Sequence, residues 1–341
     1  MGQCLMVGFP GFEPPEEFLG WLSRGMVGGV ILFKQNLGEP AQVRGLCRTL
    51  KEAARQAPGG APLWIAVDQE GGWVVRLTEP FTVPPAAGEL APGGEEAVSG
   101  MARQVARELR CVGLDMNLAP VLDVNTNPAN PIISERSFSA EPAECARLGT
   151  AYIEALQSAG CAGCGKHFPG HGDTATDSHQ VLPVVTHDLG RLEAVELVPF
   201  RAAVEAGVAA VMTAHVLFPR LDGEEVATFS RPIIEGLLRG ELGFDGCVIT
   251  DDLDMRAVAD EHLCEESSVK AIGAGCDVAL VCGTEDAAPR MHRALLDALK
   301  RGSLSEERMR QACQRVLGAK ARFSPLPEDD LSDVEARLGL V

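Results

Sequence analysis

Cys161-Ala-Gly-Cys-Gly-Lys-His-Phe-Pro-Gly-His-Gly-Asp173 opens as a run of small and apolar residues and ends in charge. Residues 161–167 lack the alternation of a half-buried strand. A short unbroken run of this kind suits a parallel strand covered on both faces. Pro169, Gly170 and Gly172 then forbid a regular helix and weaken any further strand. An irregular loop must follow, continuing as Thr174-Ala-Thr-Asp-Ser-His179. From Lys166 to His179, fourteen residues hold one Lys, three His and two Asp. That density points to a loop that binds or reacts rather than one that is merely solvated. Within it, His171 and Asp173 are expected to hold the loop's shape through local hydrogen bonds. His187, His262 and His292 are expected on the surface.

Similar apolar runs occur at 4–9, 29–33, 63–67, 116–122, 210–216, 247–251 and 277–282. Between them, apolar residues at three- and four-residue steps predict helices over 41–56, 95–111, 142–158, 190–205, 231–240 and 284–300. Eight strands with intervening helices read as an α/β protein with a single (β/α)8 TIM-type barrel over 1–323. Residues 324–341 form a Pro- and acid-rich tail with a short helical pattern at 334–338. The other possibility, an open doubly wound sheet, lacks a GxGxxG or GxxxxGK[ST] after an early strand. Two loops, 125–138 and 168–189, have the length that function usually explains.

The 341 residues carry a net charge of -18, with 48 acidic against 30 basic side chains and no Lys/Arg cluster. This argues against a nucleic-acid or anionic-membrane surface. The start has no signal-peptide pattern, and the longest apolar stretch, 207–218, is too short to span a bilayer. Eleven scattered cysteines, several inside apolar runs, read as reduced thiols used as small hydrophobes. A cytoplasmic monomer is the expectation. Cys161 and Cys164 have CxxC spacing, but no second pair completes a zinc site and both fall in a core strand. His167 and His171 have the i,i+4 count of a zinc-binding helix, which Pro169 and Gly170 prevent. No metal or cofactor is expected.

Barrel enzymes place their chemistry at the C-terminal strand ends. Strand three ends at Asp68, before Gln-Glu-Gly-Gly72 and Arg76. Strand four ends at Asp123, with Arg136 on its loop. Strand five ends at Lys166 and His167, before Asp177 and His179. Strand six ends near His215 and strand seven at Asp251-Asp252. Carboxylates that accept hydroxyl protons, beside Lys, Arg and His that donate, suit a polyhydroxylated ligand. Asp252 is expected as a capping or supporting carboxylate, since strand alternation would turn it away from Asp251.

Lys166-His-Phe-Pro-Gly-His-Gly-Asp-Thr174 with Asp177-Ser-His179 resembles the signature of glycoside hydrolase family 3 β-N-acetylglucosaminidases. Asp68-Gln-Glu-Gly-Gly72 with Arg76, Ala119-Pro-Val-Leu-Asp123, Glu135-Arg-Ser-Phe138, Met212-Thr-Ala-His215 and Thr250-Asp-Asp-Leu253 resemble further motifs of that family in the same order. The resemblance covers about residues 2–320 and implies the single-barrel branch. It implies retaining hydrolysis by double displacement, with Asp251 as nucleophile, His179 as acid/base and Asp177 as its partner. It also implies that Asp68, Arg76, Arg136, Lys166 and His167 hold the sugar hydroxyls, with Asp123 and His215 behind them or in the pocket wall. The implied substrate is a GlcNAc-containing muropeptide, GlcNAc linked to 1,6-anhydroMurNAc, in peptidoglycan recycling. Trp73 stands where the family often has Arg, and the resemblance implies that this position lines the aglycone side. A β-N-acetylglucosaminide phosphorylase, a β-glucosidase, a metal-dependent barrel hydrolase and an inactive sugar-binding protein are the competing readings.

Overall fold

The computed structural model describes residues 1–60, 62–176, 182–284 and 286–323. Eight parallel strands form one sheet: β1 (Leu5–Val7), β2 (Gly29–Leu32), β3 (Trp64–Val67), β4 (Met116–Asn117), β5 (Ala162–Phe168), β6 (Ala210–Thr213), β7 (Cys247–Thr250) and β8 (Ala279–Val281). Their order is β7-β6-β5-β4-β3-β2-β1-β8. A parallel bridge between Ile249 and Val278 brings β7 against β8. The Thr250 amide donates to the Val278 carbonyl at 3.0 Å across that seam. The architecture is a (β/α)8 barrel, as the sequence predicts. Every residue of all eight strands is buried, which explains why each reads as an unbroken apolar run rather than an alternating one.

Helices cover the outside. Pro40–Arg55, Gly94–Cys111 and Pro142–Ser158 lie within a residue of their expected bounds at each end, the first and third opening on proline, which supplies a helical φ and needs no amide partner there. The segment expected as one helix over 190–205 is two, Leu189–Ala194 and Leu197–Glu205. Pro199 is the reason: a continuous helix would drive its ring into the carbonyl of Val195, where the break falls. Pro232–Glu241 is helical with the wider π pitch, and Ala287–Arg301 occupies the last expected segment. Three helices of eight residues or more were not anticipated: Glu16–Ser23, Cys264–Ala274 and Glu306–Arg322. Cys161 and Cys164 are fully buried free thiols. No helix among the described residues is long and apolar enough to cross a membrane. The tail 324–341 and its helical pattern lie outside the described residues.

The β5 strand departs from regularity where it matters. Its register against β6 shifts between Gly165 and Phe168. Regular alternation would send Lys166 and His167 to opposite faces, yet both line the same cavity. A bulge re-aims side chains in this way.

Candidate active site

The C-terminal ends of the strands surround a cavity of about 490 Å³. Asp68 and Glu70 enter it from beyond β3, Lys166 and His167 from β5, and Asp251 from just past β7. Arg76 and Arg136 reach in from loops. Six expected site residues, Asp68, Arg76, Arg136, Lys166, His167 and Asp251, therefore meet in one cavity although they are spread over 184 positions of sequence. Asp177 and His179 lie outside the described residues.

The floor is an ion-pair network. The Lys166 ammonium sits 2.9 Å from Asp68 Oδ1 and 2.6 Å from Glu70 Oε1. Arg136 grips Glu70 with two parallel bonds, Nε to Oε2 at 2.8 Å and Nη2 to Oε1 at 2.9 Å. Arg76 Nη2 lies 3.4 Å from Asp68 Oδ2. Burial alone would raise the Glu70 pKa, but Arg136 and Lys166 more than reverse this and hold it well below the usual carboxylate range. Burial opposes the charge on Lys166, yet Asp68 and Glu70 push its pKa up to about 12. The resemblance assigns no role to Glu70. Its sequence signal is only its place two residues after Asp68, and the pairing that matters bridges to positions 136 and 166.

A second layer fixes the histidines. Asp123 is fully buried and its Oδ2 lies 2.7 Å from His167 Nδ1. A carboxylate there holds a proton on Nδ1. The same carboxylate accepts the amides of His167 at 3.2 Å and His171 at 2.6 Å. Burial would raise its pKa; the His167 ring and these bonds bring it below the usual value. His215 is buried, 2.8 Å from Thr228 Oγ1 and 3.0 Å from the Asp252 carbonyl. Both residues lie behind the cavity lining.

Asp251 follows the last residue of β7. Its amide donates to the Thr213 carbonyl, and its Oδ1 accepts the Asp252 amide at 2.8 Å. Burial pushes the pKa of Asp251 up, but His167, His215 and the Asp252 amide lower it overall, so the group is ionised. Asp252 corrects an expectation. It lines the same cavity, because strand alternation no longer governs residues beyond Thr250. Its Oδ1 accepts the amides of Asp254 and Cys282, each at 3.0 Å, and burial pushes its pKa up to about 6.

The loop after β5 is tied as expected. His171 Nδ1 lies 2.8 Å from Thr174 Oγ1. Thr126 donates to Asp173 Oδ1 at 3.1 Å, and His187 Nε2 meets Asp173 Oδ2 at 2.5 Å. His187, His262 and His292 are half-buried rather than on the surface; His187 is held by Asp173, and His262 packs on Phe229 within hydrogen-bonding distance of Lys270. Among the described residues no group of three or more His, Cys, Asp or Glu is arranged to hold a metal ion.

His171 gives a stability prediction. Burial pushes its pKa down to about 4, against about 6.5 in an unfolded chain. Between those values the unfolded chain holds a proton that the folded one does not. Stability from this group is therefore complete above about pH 6.5 and is lost as pH falls toward 4, by up to about 3 kcal/mol. Urea unfolding at steps from pH 7.5 to 4.5 checks this: His171→Asn should flatten the slope over that window.

Residues 1–319 match the glycosyl hydrolase family 3 N terminal domain. The chain belongs to that family. It is 42% identical over 285 residues to a beta-hexosaminidase of Thiobacillus denitrificans, covering 82% of this chain and 77% of the relative. It is 36% identical over 348 residues to beta-hexosaminidase A of Pseudoalteromonas piscicida, covering 95% of this chain but only 58% of that longer protein. Among solved structures, a family 3 β-N-acetylglucosaminidase from Paenibacillus sp. str. FPU-7 superposes with a TM-score of 0.91 at 42% identity, over 98% of this chain and 67% of that one. NagZ from Neisseria gonorrhoeae, in complex with N-trifluoroacetyl-D-glucosamine, superposes with a TM-score of 0.81 at 32% identity, over 98% and 96%. Within family 3 the chain stands among the beta-hexosaminidases.

Proposed function

We propose that the chain is a retaining exo-β-N-acetylglucosaminidase that works through a covalent glycosyl–Asp251 intermediate. The observation that carries this reading is an ionised Asp251 carboxylate in the same cavity as a polar floor of Asp68, Lys166 and His167. A carboxylate oxygen of Asp251 attacks the anomeric carbon as the glycosidic bond breaks, and His179 gives its proton to the departing oxygen. Water then attacks the same carbon, His179 takes the water's proton, and Asp251 leaves. Asp177 orients the imidazole. The roles of Asp177 and His179 rest on their motif. An imidazole fits the task because it can carry or release a proton near neutral pH. Asp68, Arg76, Arg136, Lys166 and His167 hold the hydroxyls of the terminal sugar.

The substrate in this reading is a GlcNAc-terminated saccharide. The muropeptide GlcNAc-1,6-anhydroMurNAc, met in cell-wall recycling, is one member of that class, and a GlcNAc oligomer is another. A cytoplasmic place of action is part of the proposal, supported by the burial of nine of the eleven thiols.

A panel of nitrophenyl glycosides, each assayed with and without phosphate, tests the reading. The β-GlcNAc glycoside should be cleaved best and yield GlcNAc as its β anomer first. GlcNAc-1-phosphate as product, or a faster β-glucoside, would overturn it. His179→Ala should slow poor leaving groups more than good ones; equal slowing across leaving-group pKa contradicts the acid/base role.

A further inference from the structure

We propose that Trp73 is the platform on which the leaving sugar stacks, and that this side of the cavity takes a neutral N-acetylhexosamine in preference to an acid-bearing one. The inference rests on the exo-glycosidase reading and adds the identity of the leaving group.

Trp73 is 55% exposed, whereas Trp21 and Trp64, the other two tryptophans, are 8% and 2% exposed. It lines the same cavity as Asp68 and Asp251. An indole with more than half its surface in water beside a polar cavity is ready for an apolar ligand face. The turn beneath it is tightly held. The Glu70 and Gly71 amides donate to the Val74 carbonyl at 3.0 and 3.2 Å, Val74 donates back to Gly71 at 3.1 Å, and Gly72 donates to the Pro84 carbonyl at 3.0 Å. Gly71 and Gly72 have φ of 125° and 57°, and a Cβ on Gly71 would lie 2.1 Å from the Pro85 carbonyl oxygen. The same turn sends Glu70 into the buried floor and Trp73 to the rim. Little ordering remains to be done when a sugar ring lands on the indole.

Charge supplies the second half. Among the described lining residues, Lys166, Arg76 and Arg136 are each already paired with Asp68 or Glu70. Asp251 and Asp252 add two carboxylates. Among the described lining residues there are thus four carboxylates against three Lys and Arg cations, and none of those three is left to meet a carboxylate on the leaving sugar. The C–H face of a neutral pyranose, by contrast, matches an exposed indole and asks for no counter-charge.

The test compares three substrates: N,N′-diacetylchitobiose, a GlcNAc disaccharide with a muramic-acid reducing end, and trifluoroethyl β-N-acetylglucosaminide, whose leaving group has no ring. Wild-type protein should cleave the neutral disaccharide with the higher kcat/KM of the two disaccharides. In Trp73→Ala the ratio of kcat/KM for N,N′-diacetylchitobiose to that for the trifluoroethyl glycoside should fall about tenfold, the scale of one aromatic contact, while Trp73→Phe should keep most of it. Trp73→Arg should move the preference toward the acid-bearing disaccharide. Binding of a thio-linked chitobiose should shield wild-type tryptophan fluorescence from acrylamide, and Trp73→Phe should lose that protection. An unchanged ratio in Trp73→Ala, or an acid-bearing disaccharide preferred by the wild type, overturns the inference. Failure to cleave the trifluoroethyl glycoside at all would instead remove the exo-glycosidase reading on which it stands.

Discussion

Asp251→Ala should reduce turnover of an aryl β-N-acetylglucosaminide by roughly 10⁴-fold or more, the scale seen when a residue that makes a covalent bond is removed. Substrate should still bind, because Asp68, Lys166 and His167 remain in place and none of them is bonded to Asp251 by its side chain. The substitution leaves one unsatisfied donor, the Asp252 amide that Asp251 Oδ1 now accepts, a cost of about 1–3 kcal/mol against a whole fold. The protein should therefore remain folded. The discriminating measurement is rescue. With a good leaving group such as dinitrophenol, azide fits the space vacated by the carboxylate and attacks the anomeric carbon from the same side. The product should be the α-glycosyl azide, inverted at carbon one. A β-glycosyl azide, or activity within tenfold of wild type, would remove Asp251 from the nucleophile's place.

The barrel was legible because each strand is covered on both faces, so burial is written continuously into the sequence. The same argument shows where legibility stops. Residues 116–122 read as one long strand, yet only Met116–Asn117 pair as a regular ladder, since Pro120 has no amide to donate. Contact with the neighbours continues piecemeal: Cys164 donates to the Ala119 carbonyl, and Val121 bridges Lys166. The Glu306–Arg322 helix buries Met309, Ala312, Val316 and Ala319, a stripe at three- and four-residue steps whose small alanines hide it among charged neighbours. In the site, the strand-end rule located Asp68, Lys166, His167 and Asp251, because each is local to a strand. It could not locate the partners. Glu70 takes its meaning from Arg136 and Lys166, 66 and 96 positions away, and no local pattern distinguishes it from an exposed turn carboxylate. Asp252 was misdirected by a strand rule applied one residue past the strand.

Those distant pairings make Lys166→Met the substitution with the largest expected cost in stability. Lys166 is 3% exposed and sits between Asp68 and Glu70. Methionine fills a similar volume but supplies no charge. Glu70 keeps Arg136, so the deficit falls chiefly on Asp68, whose other cation, Arg76, stands at 3.4 Å. Breaking a fully buried pair by removing one partner costs about 3–5 kcal/mol, because the remaining charge is stranded; Asp68 keeps 14% exposure at the cavity, so the loss should lie near the lower end, about 3 kcal/mol. Urea or guanidinium unfolding should show a loss of that size with the m-value unchanged. Adding Asp68→Asn should recover part of it, since the stranded charge is then gone, and the double-mutant cycle should give a coupling above about 1 kcal/mol. In the proposed function both side chains also hold sugar hydroxyls, so the double variant should recover stability without recovering KM. That divergence is informative: if KM returned along with stability, Lys166 and Asp68 would be scaffolding for the cavity and not its sugar-binding floor.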